Sequence, residues 1–323
     1  MNLVPLFCAT ALSLSVSADA GNPIITDVFT ADPAALVHDG RVYLYTGHDE
    51  AEVDKPGYVM NEWLVFSSDD MVDWKAEGSP LSLDDFEWAN VHAWAGHAIE
   101  RDGKFYWYIT AWEEARGEFG IGVAVSDSPT GPFKDALGKP LVTSDLTENP
   151  MNYEDRRILW DDIDPAAYID EDGQAYLFWG NTNCYWAKLK DSMVELDGEI
   201  HQIELPDFVE APYIHRKGGL YYLTYSKGFP ERTAYATSES LEGPWEYRGV
   251  IKQLAGNCNT NHQAVVEFKG RDYFIYHNGG LRTGGSFRRS VCVDYLRYGE
   301  DGSILPILPT EEGVVSADEP LER

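Results

Sequence analysis

The sequence TADPAALVHDGRVYLYTGHDE, residues 30–50, contains the pattern from which the architecture can be inferred. An apolar segment runs to Val37, a charged turn follows at Asp39-Gly40, and a second apolar and aromatic segment continues from Val42. Two such segments joined by a short turn that contains Gly predict a β-hairpin.

The pattern occurs five times along the chain, each time as a Gly, two residues, a Tyr and a mostly aromatic and β-branched run. The five tyrosines are 45 to 70 residues apart, at Tyr43, Tyr106, Tyr176, Tyr221 and Tyr273. A second motif, a Ser followed seven residues later by an aromatic residue, predicts a turn between outer strands and occurs at Ser67–Trp74, Ser126–Phe133 and Ser238–Trp245.

Repeats of this length, each with about four strands, are typical of the blades of a β-propeller, whose circular closure removes exposed sheet edges. Five repeats use up the chain after residue 20. We therefore expect an all-β protein, a five-bladed β-propeller in a single domain spanning residues 21–323.

The first 20 residues have the features of an export signal. Residues 3–16 are uncharged and too short to span a bilayer, and Ala18-Asp19-Ala20 resembles a small-residue cleavage site. We expect a mature chain that begins near Gly21 and is secreted or periplasmic. Later segments never reach about 18 unbroken apolar residues, so a membrane is not an expected partner after cleavage.

Composition limits the possible partners. The chain has 54 Asp and Glu against 25 Lys and Arg, a net charge of −29, so nucleic acid is not an expected partner. The hydrophobic fraction of 44% excludes intrinsic disorder, and the aromatic fraction of 13% suits either stacking on sugars or a core. Cys184, Cys258 and Cys292 would remain after signal removal, and without CxxC spacing we expect buried free thiols.

Three carboxylates occupy equivalent positions in the repeats. Asp32, Asp164 and Glu210 lie 11 or 12 residues before the repeat Tyr, at the start of the strand that would line the central channel. A proline follows each acid within two residues, which predicts an extended backbone before it. Trp94 and His262 occupy the same position in the other two repeats.

Acids that meet at a channel mouth repel one another, which raises at least one pKa. Hydrolysis of a glycosidic bond needs such a pair, a protonated acid for the leaving oxygen and an ionised base for water or the anomeric carbon. A structural calcium site also needs several oxygen ligands and is the alternative.

Four segments resemble family 43 glycoside hydrolases: residues 30–50, DIDPAAYIDEDGQAYLFWGN (162–181), VEAPYIHRKGGLYYLTYS (209–226) and NTNHQAVVEFKGRDYFIYHNGG (259–280). The resemblance implies a five-bladed β-propeller acting on arabinose- and xylose-containing plant polysaccharides, with inversion at the anomeric carbon. It implies that Asp32 is the general base, Glu210 the general acid, and Asp164 the residue that tunes the pKa of Glu210 and orients it.

The resemblance also implies several secondary residues. His262 matches a channel histidine near a calcium ion or a water cluster, so a structural Ca²⁺ is a possible addition to a site whose chemistry requires no cofactor. Trp94 matches a sugar-stacking tryptophan, with a core role as the alternative. A blade-five arginine contacts the sugar, and we take Arg288 as the candidate, with Arg289 as the alternative because only one of two successive strand residues faces inward. His48 and Asp49 would border the pocket or lie in a solvated loop.

The expected function is that of a secreted, exo-acting α-L-arabinofuranosidase that removes arabinose from arabinan or arabinoxylan. A β-D-xylosidase or an endo-arabinanase with the same three acids is the alternative within the class. A non-catalytic carbohydrate-binding propeller is the alternative from another class.

Overall fold

Five antiparallel sheets form the protein, and each contains one of the five predicted hairpins. The computed structural model describes residues 21–147, 160–254 and 256–320. The predicted export signal, residues 1–20, lies outside the described residues, so the domain boundary at residue 21 stays a prediction.

The strands follow one another around the ring in chain order. The first sheet contains Thr30–His38 (β1), Arg41–His48 (β2), Glu62–Ser68 (β3) and Lys75–Ser82 (β4), and a 3₁₀ turn follows at Leu83–Asp85. The second contains Ala89–Val91 (β5), Gly96–Arg101 (β6), Lys104–Glu113 (β7), Glu118–Ser126 (β8) and Lys134–Asp135 (β9). The third contains Ala166–Ile169 (β10), Ala175–Trp179 (β11), Cys184–Leu189 (β12) and Leu196–Ile203 (β13).

The fourth sheet contains Phe208–Lys217 (β14), Leu220–Lys227 (β15), Arg232–Ser238 (β16) and Glu246–Lys252 (β17). The fifth contains Gln263–Phe268 (β18), Arg271–Asn278 (β19) and Ser290–Tyr295 (β20). Within the described residues the structure is all-β, as predicted, and the three Ser-to-aromatic motifs lie between the third and fourth strands of their blades, or between β8 and β9 in the second.

The first strand of each hairpin lies on the inside of the ring. Contacts run from β1 to β6, β6 to β10, β10 to β14, β14 to β18 and back from β18 to β1. The N-terminal segment closes the ring, because Ile24 N donates to Val291 O of β20 at 2.9 Å and Asn22 N donates to Glu311 O at 2.8 Å. This arrangement is a five-bladed β-propeller, which confirms the prediction.

Positive φ angles explain the sequence of the hairpin turns. Asp39 and Gly40 have φ of 48° and 74°, and Asp102-Gly103 and Lys269-Gly270 repeat the arrangement. Two successive left-handed residues match the right-handed twist of the paired strands, and Gly adopts the conformation without a Cβ clash.

Aromatic side chains fill the space between neighbouring blades. Trp107 of β7 is fully buried and meets the edge of Tyr45 of β2 at a centroid distance of 4.8 Å. Cys184, Cys258 and Cys292 are buried free thiols, as predicted. In the described part of the chain, none of the helices is long and apolar enough to cross a membrane.

Candidate active site

Each of the three acids lies at an irregularity of an inner strand. The pairing register of β1 shifts between Ala31 and Ala34, and that of β14 shifts between Glu210 and Tyr213. The residues that precede the three prolines have positive φ, 52° at Asp32, 57° at Asp164 and 57° at Ala211.

The prediction of an extended backbone at these positions is therefore wrong. The preference of residues before Pro for extended conformations is a local steric tendency, and here the bend of the inner strands overrides it. A bulge inserts a residue into one strand and re-aims its side chains, which is a common device beside functional sites.

The three acids line one cavity of about 660 Å³ at the mouth of the channel. Trp94 also lines it, at the interruption between β5 and β6, which pair end to end with β7. The wall has further aromatic residues (Tyr58, Trp160, Phe208, Phe229 and Phe287) and further polar ones (Asn181, Thr182, Asp207, Glu231, Asn259, Thr260 and Arg289). The structure therefore brings together the three acids and Trp94.

Asp32 is buried beside a cation. Arg289 Nη1 donates to Asp32 Oδ1 at 2.7 Å, and Asp32 N donates to His277 Nδ1 at 3.3 Å. Burial raises the pKa of Asp32, and the charges of Arg289 and His262 oppose this rise only in part. Because His277 accepts through Nδ1, and burial together with Arg289 lowers its pKa well below the usual range, it is a neutral hydrogen-bond partner and not a counter-ion.

Arg289, and not Arg288, is the arginine in the cavity wall. Its Nε and Nη2 bind both carboxylate oxygens of Asp49 at 2.9 Å, and its guanidinium lies 4.8 Å from the ring centroid of Tyr58. Arg288 instead donates to Thr283 O at 3.1 Å and stacks on Phe29, outside the cavity. The choice of Arg288 is corrected because successive residues point to opposite faces and only Arg289 has the buried partners.

His48 also lies outside the cavity wall. Its Nδ1 lies 2.9 Å from Glu62 Oε1 on the neighbouring strand β3, so this prediction is corrected as well. Asp49, the next residue, is 2% exposed and holds Arg289 from behind. The alternation along the chain therefore gives the inward position to Asp49 and not to His48.

Asp164 contacts the backbone that carries Glu210. Asp164 Oδ2 accepts a hydrogen bond from Ala211 N at 3.0 Å, and Asp164 N donates to Thr110 Oγ1 at 3.0 Å. Glu210 Oε2 accepts from Asn181 Nδ2 at 2.8 Å. Asp164 thus fixes the strand segment next to Glu210, while Asn181 fixes the carboxyl group itself.

The pKa of Glu210 is raised. Burial is the largest cause, and the negative charges of Asp164 and Asp32 add to it, while His262 and the Asn181 amide act in the opposite direction. Asp32, held next to Arg289, and Glu210, surrounded by acids, therefore have different electrostatic environments in one cavity.

His262 faces two of the acids. Its Nδ1 lies 3.6 Å from Asp164 Oδ2 and 3.9 Å from Asp32 Oδ1. Burial alone would lower its pKa, but the hydrogen bond and charge of Asp164, with Asp32 and Glu210, raise it. His262 can therefore supply positive charge to the acid cluster itself.

The described residues do not fit the predicted calcium site near His262. They contain no group of three or more His, Cys, Asp and Glu side chains arranged to hold a metal ion. Ca²⁺ takes six to eight oxygen ligands, whereas His262 directs a nitrogen at two acids of the cluster. We therefore derive no step through a metal.

Sequence reasoning missed several wall residues. Tyr58, Phe229 and Glu231 lie in loops between strands, where the repeat pattern gives no equivalent position. Asn181 follows β11 directly, and its amide could have been identified only from the structure.

Comparison with known proteins agrees with this geometry. Residues 20–304 match the family described as "Glycosyl hydrolases family 43". This chain belongs to glycoside hydrolase family 43. It is 32% identical to "Xylosidase/arabinosidase 43A" of Humicola insolens, over 89% of this chain and 99% of that protein. It is 31% identical to the "Arabinoxylan arabinofuranohydrolase" of Bacillus subtilis (strain 168), over 95% of this chain and 68% of that protein.

Solved structures of family 43 enzymes have the same fold. A β-xylosidase/α-arabinofuranosidase from a compost microbial metagenome, in complex with xylotriose and calcium-free, superimposes with a TM-score of 0.78 at 30% identity, covering 89% of this chain and 97% of that one. An α-L-arabinofuranosidase from Clostridium thermocellum gives a TM-score of 0.73 at 35% identity, covering 90% and 98%. The chain is therefore a glycosidase, and family 43 enzymes need no cofactor for catalysis.

Replacing Arg289 by Met should move the acidic limb of the pH profile. Asp32 would lose its nearest cation, its pKa would rise further, and kcat/KM would fall at a pH about one unit higher than in the wild type. The measurement is kcat/KM against pH on a 4-nitrophenyl glycoside that the wild type cleaves. Arg288→Met is the matched control and should leave the acidic limb unmoved; equal shifts in both variants would contradict the assignment of Arg289.

Proposed function

We propose that the protein is an exported, exo-acting α-L-arabinofuranosidase that removes arabinose from arabinan or arabinoxylan with inversion. The observation that carries the proposal is the convergence of Asp32, Asp164 and Glu210 in one cavity, with a cation at Asp32 and a raised pKa at Glu210. These are the environments that a base and an acid require at the same pH.

In the proposed mechanism the ionised carboxylate of Asp32 removes a proton from a water molecule as its oxygen attacks the anomeric carbon. Glu210 donates its proton to the leaving glycosidic oxygen as the bond to the anomeric carbon breaks. Asp164 positions Glu210 through the N–H of Ala211 and holds the proton on Glu210 by its negative charge.

The names of the relatives support a pentose substrate. The protein of Bacillus subtilis is called an arabinoxylan arabinofuranohydrolase, and Clostridium thermocellum supplies an α-L-arabinofuranosidase of known structure. A second candidate is a β-D-xylosidase, because a Xanthomonas citri enzyme 29% identical to this chain has been crystallised with xylose, with a TM-score of 0.79. The non-catalytic sugar-binding alternative has no support, because all three acids are present in a family of glycosidases.

The region beyond the acids has features suited to the leaving part of a carbohydrate. Phe229 lines the cavity and is 70% exposed, although it is a large apolar side chain. A second depression of about 430 Å³ shares Thr182 and Phe208 with the cavity. An exposed aromatic face beside such a depression can stack on a sugar ring, so we propose that an oligosaccharide or polymer chain binds there.

We also propose export, to the periplasm or the medium. The support is the apolar stretch at residues 3–16 and the Ala18-Asp19-Ala20 sequence. Asn22 is already bonded to Glu311, so a mature chain that begins near Gly21 contains the ring-closing contact. The N-terminal sequence of the protein recovered outside the cytoplasm should begin near Gly21; an intact Met1 would contradict the proposal.

Two chromogenic substrates and two variants test the function. The wild type should release 4-nitrophenol faster from the α-L-arabinofuranoside than from the β-D-xyloside; the reverse preference would support the second candidate. Glu210→Ala should lose about 10²- to 10⁴-fold in kcat on the natural glycoside and far less on the aryl glycoside, whose leaving group needs little protonation. Asp32→Ala should lose activity on both, and equal losses of Glu210→Ala on both would contradict its role as the acid.

Replacing Phe229 by Ala should weaken selection for a carbohydrate leaving group. We expect the ratio of kcat/KM on an arabinoxylan oligosaccharide to kcat/KM on the arabinofuranosyl fluoride to fall about tenfold, equivalent to ~1.4 kcal/mol. Fluoride is the comparison because it offers no ring to stack. The control is Leu308→Ala, which removes a 76% exposed apolar side chain outside the cavity wall and should not alter the ratio. An unchanged ratio in Phe229→Ala would disprove the stacking role.

A further inference from the structure

A fourth carboxyl group, that of Glu231, lines the same cavity as Glu210. It lies between β15 and β16, just after Phe229 and Pro230, and the residue is only 2% exposed. A carboxyl group so deeply buried beside a catalytic acid needs a physical reason, because burial disfavours its charge.

Glu231 is held firmly by the segment that enters β18. Its Oε2 accepts a hydrogen bond from Asn261 N at 2.6 Å, and its carbonyl oxygen accepts one from Asn261 Nδ2 at 2.5 Å. Its own N–H donates to Asn259 O at 3.1 Å. The side chain is therefore fixed at both its backbone and its carboxyl end.

A buried cation lies on the far side of Asn261. Lys252 Nζ donates to Asn261 Oδ1 and lies 4.8 Å from the ring centroid of Tyr276. Burial lowers the pKa of Lys252 to about 8, so at neutral pH it keeps its positive charge. Asn261 thus connects a buried cation to a buried carboxyl group in the cavity wall.

The two glutamates influence each other electrostatically. Burial and then the charge of Glu210 raise the pKa of Glu231, whereas the Asn261 N–H and the Ser226 hydroxyl favour its ionised form. Two buried carboxylates in one cavity cannot both ionise easily, so the pair holds one proton between them. Glu231 has the better provision for charge, since it accepts a backbone N–H and lies near Lys252, while Glu210 accepts one neutral amide.

We propose that Glu231 is a positioning residue for the general acid: its carboxyl group, anchored by Asn261 and backed by Lys252, carries the negative charge of the pair and so keeps the shared proton on Glu210. This inference rests on the proposed role of Glu210 as the proton donor to the leaving oxygen. Glu231 itself exchanges no proton with the substrate.

Other charged groups face the pair from the surrounding strands and act on both variants alike. They are Asp32 on β1, Asp164 before β10, His262 before β18, Asp294 on β20, Arg289 before β20, and Asp207 with its ion-pair partner Lys227 on β14 and β15. Among these, Asp32 and Asp164 favour protonation of Glu210 and His262 opposes it.

The test is the alkaline limb of kcat/KM against pH on an unactivated oligosaccharide, where protonation of Glu210 is required. Glu231→Gln keeps the shape of the side chain and an acceptor for Asn261 N–H but removes the charge. We expect its alkaline limb to fall about one pH unit lower than that of the wild type, a loss of about tenfold on the alkaline side. Lys252→Met should shift the limb in the same direction, because without the cation the proton moves toward Glu231.

The matched control is Glu118→Gln, which removes another buried carboxyl group that is bonded to Arg116 and lies outside the cavity wall. Its alkaline limb should coincide with that of the wild type. An unmoved limb in Glu231→Gln, while the limb of the wild type depends on Glu210, would overturn this proposal alone. A wild type whose alkaline limb persists in Glu210→Ala would instead overturn the proposed role of the acid.

Discussion

Five inner strands share one narrow channel, and this constraint brings acids from distant parts of the chain into a single cavity. Asp32, Asp164 and Glu210 come from the first, third and fourth blades, and bulges or left-handed residues turn each toward the channel mouth. Buried carboxylates that lie together repel one another, so each needs its own neighbour. The remaining features of the site can be understood as the means by which that repulsion is distributed.

The distribution is unequal, and the inequality is the basis of the chemistry. Arg289, fixed by Asp49, gives Asp32 a cation within hydrogen-bond distance. Glu210 receives a neutral amide from Asn181 and lies in the field of the other acids. One carboxyl group is thereby kept ready to accept a proton and the other to donate one at the same pH. Glu231 extends this principle, with Lys252 and Asn261 as its support.

Much of this could be predicted from the sequence, because the repeat Tyr acts as a ruler for the inner strands. The fold, the meeting of the three acids and the position of Trp94 all follow from that ruler. The ruler fails outside the repeat: it could not separate Arg288 from Arg289, whose directions depend on the exact start of β20, and it misplaced His48 by one residue relative to Asp49. Glu231 and Phe229 lie in loops, and only tertiary packing brings them to the cavity.

The central claim is that Glu210 keeps its proton at the pH where Asp32 has lost its own. The most direct measurement is a ¹³C NMR titration of the free enzyme with labelled glutamate side chains, in which the Glu210 signal is assigned by its absence from Glu210→Gln. The account predicts a midpoint well above the ordinary value of 4.5 for a glutamate. A midpoint at or below that value would show that Glu210 is ionised at working pH and would contradict the account.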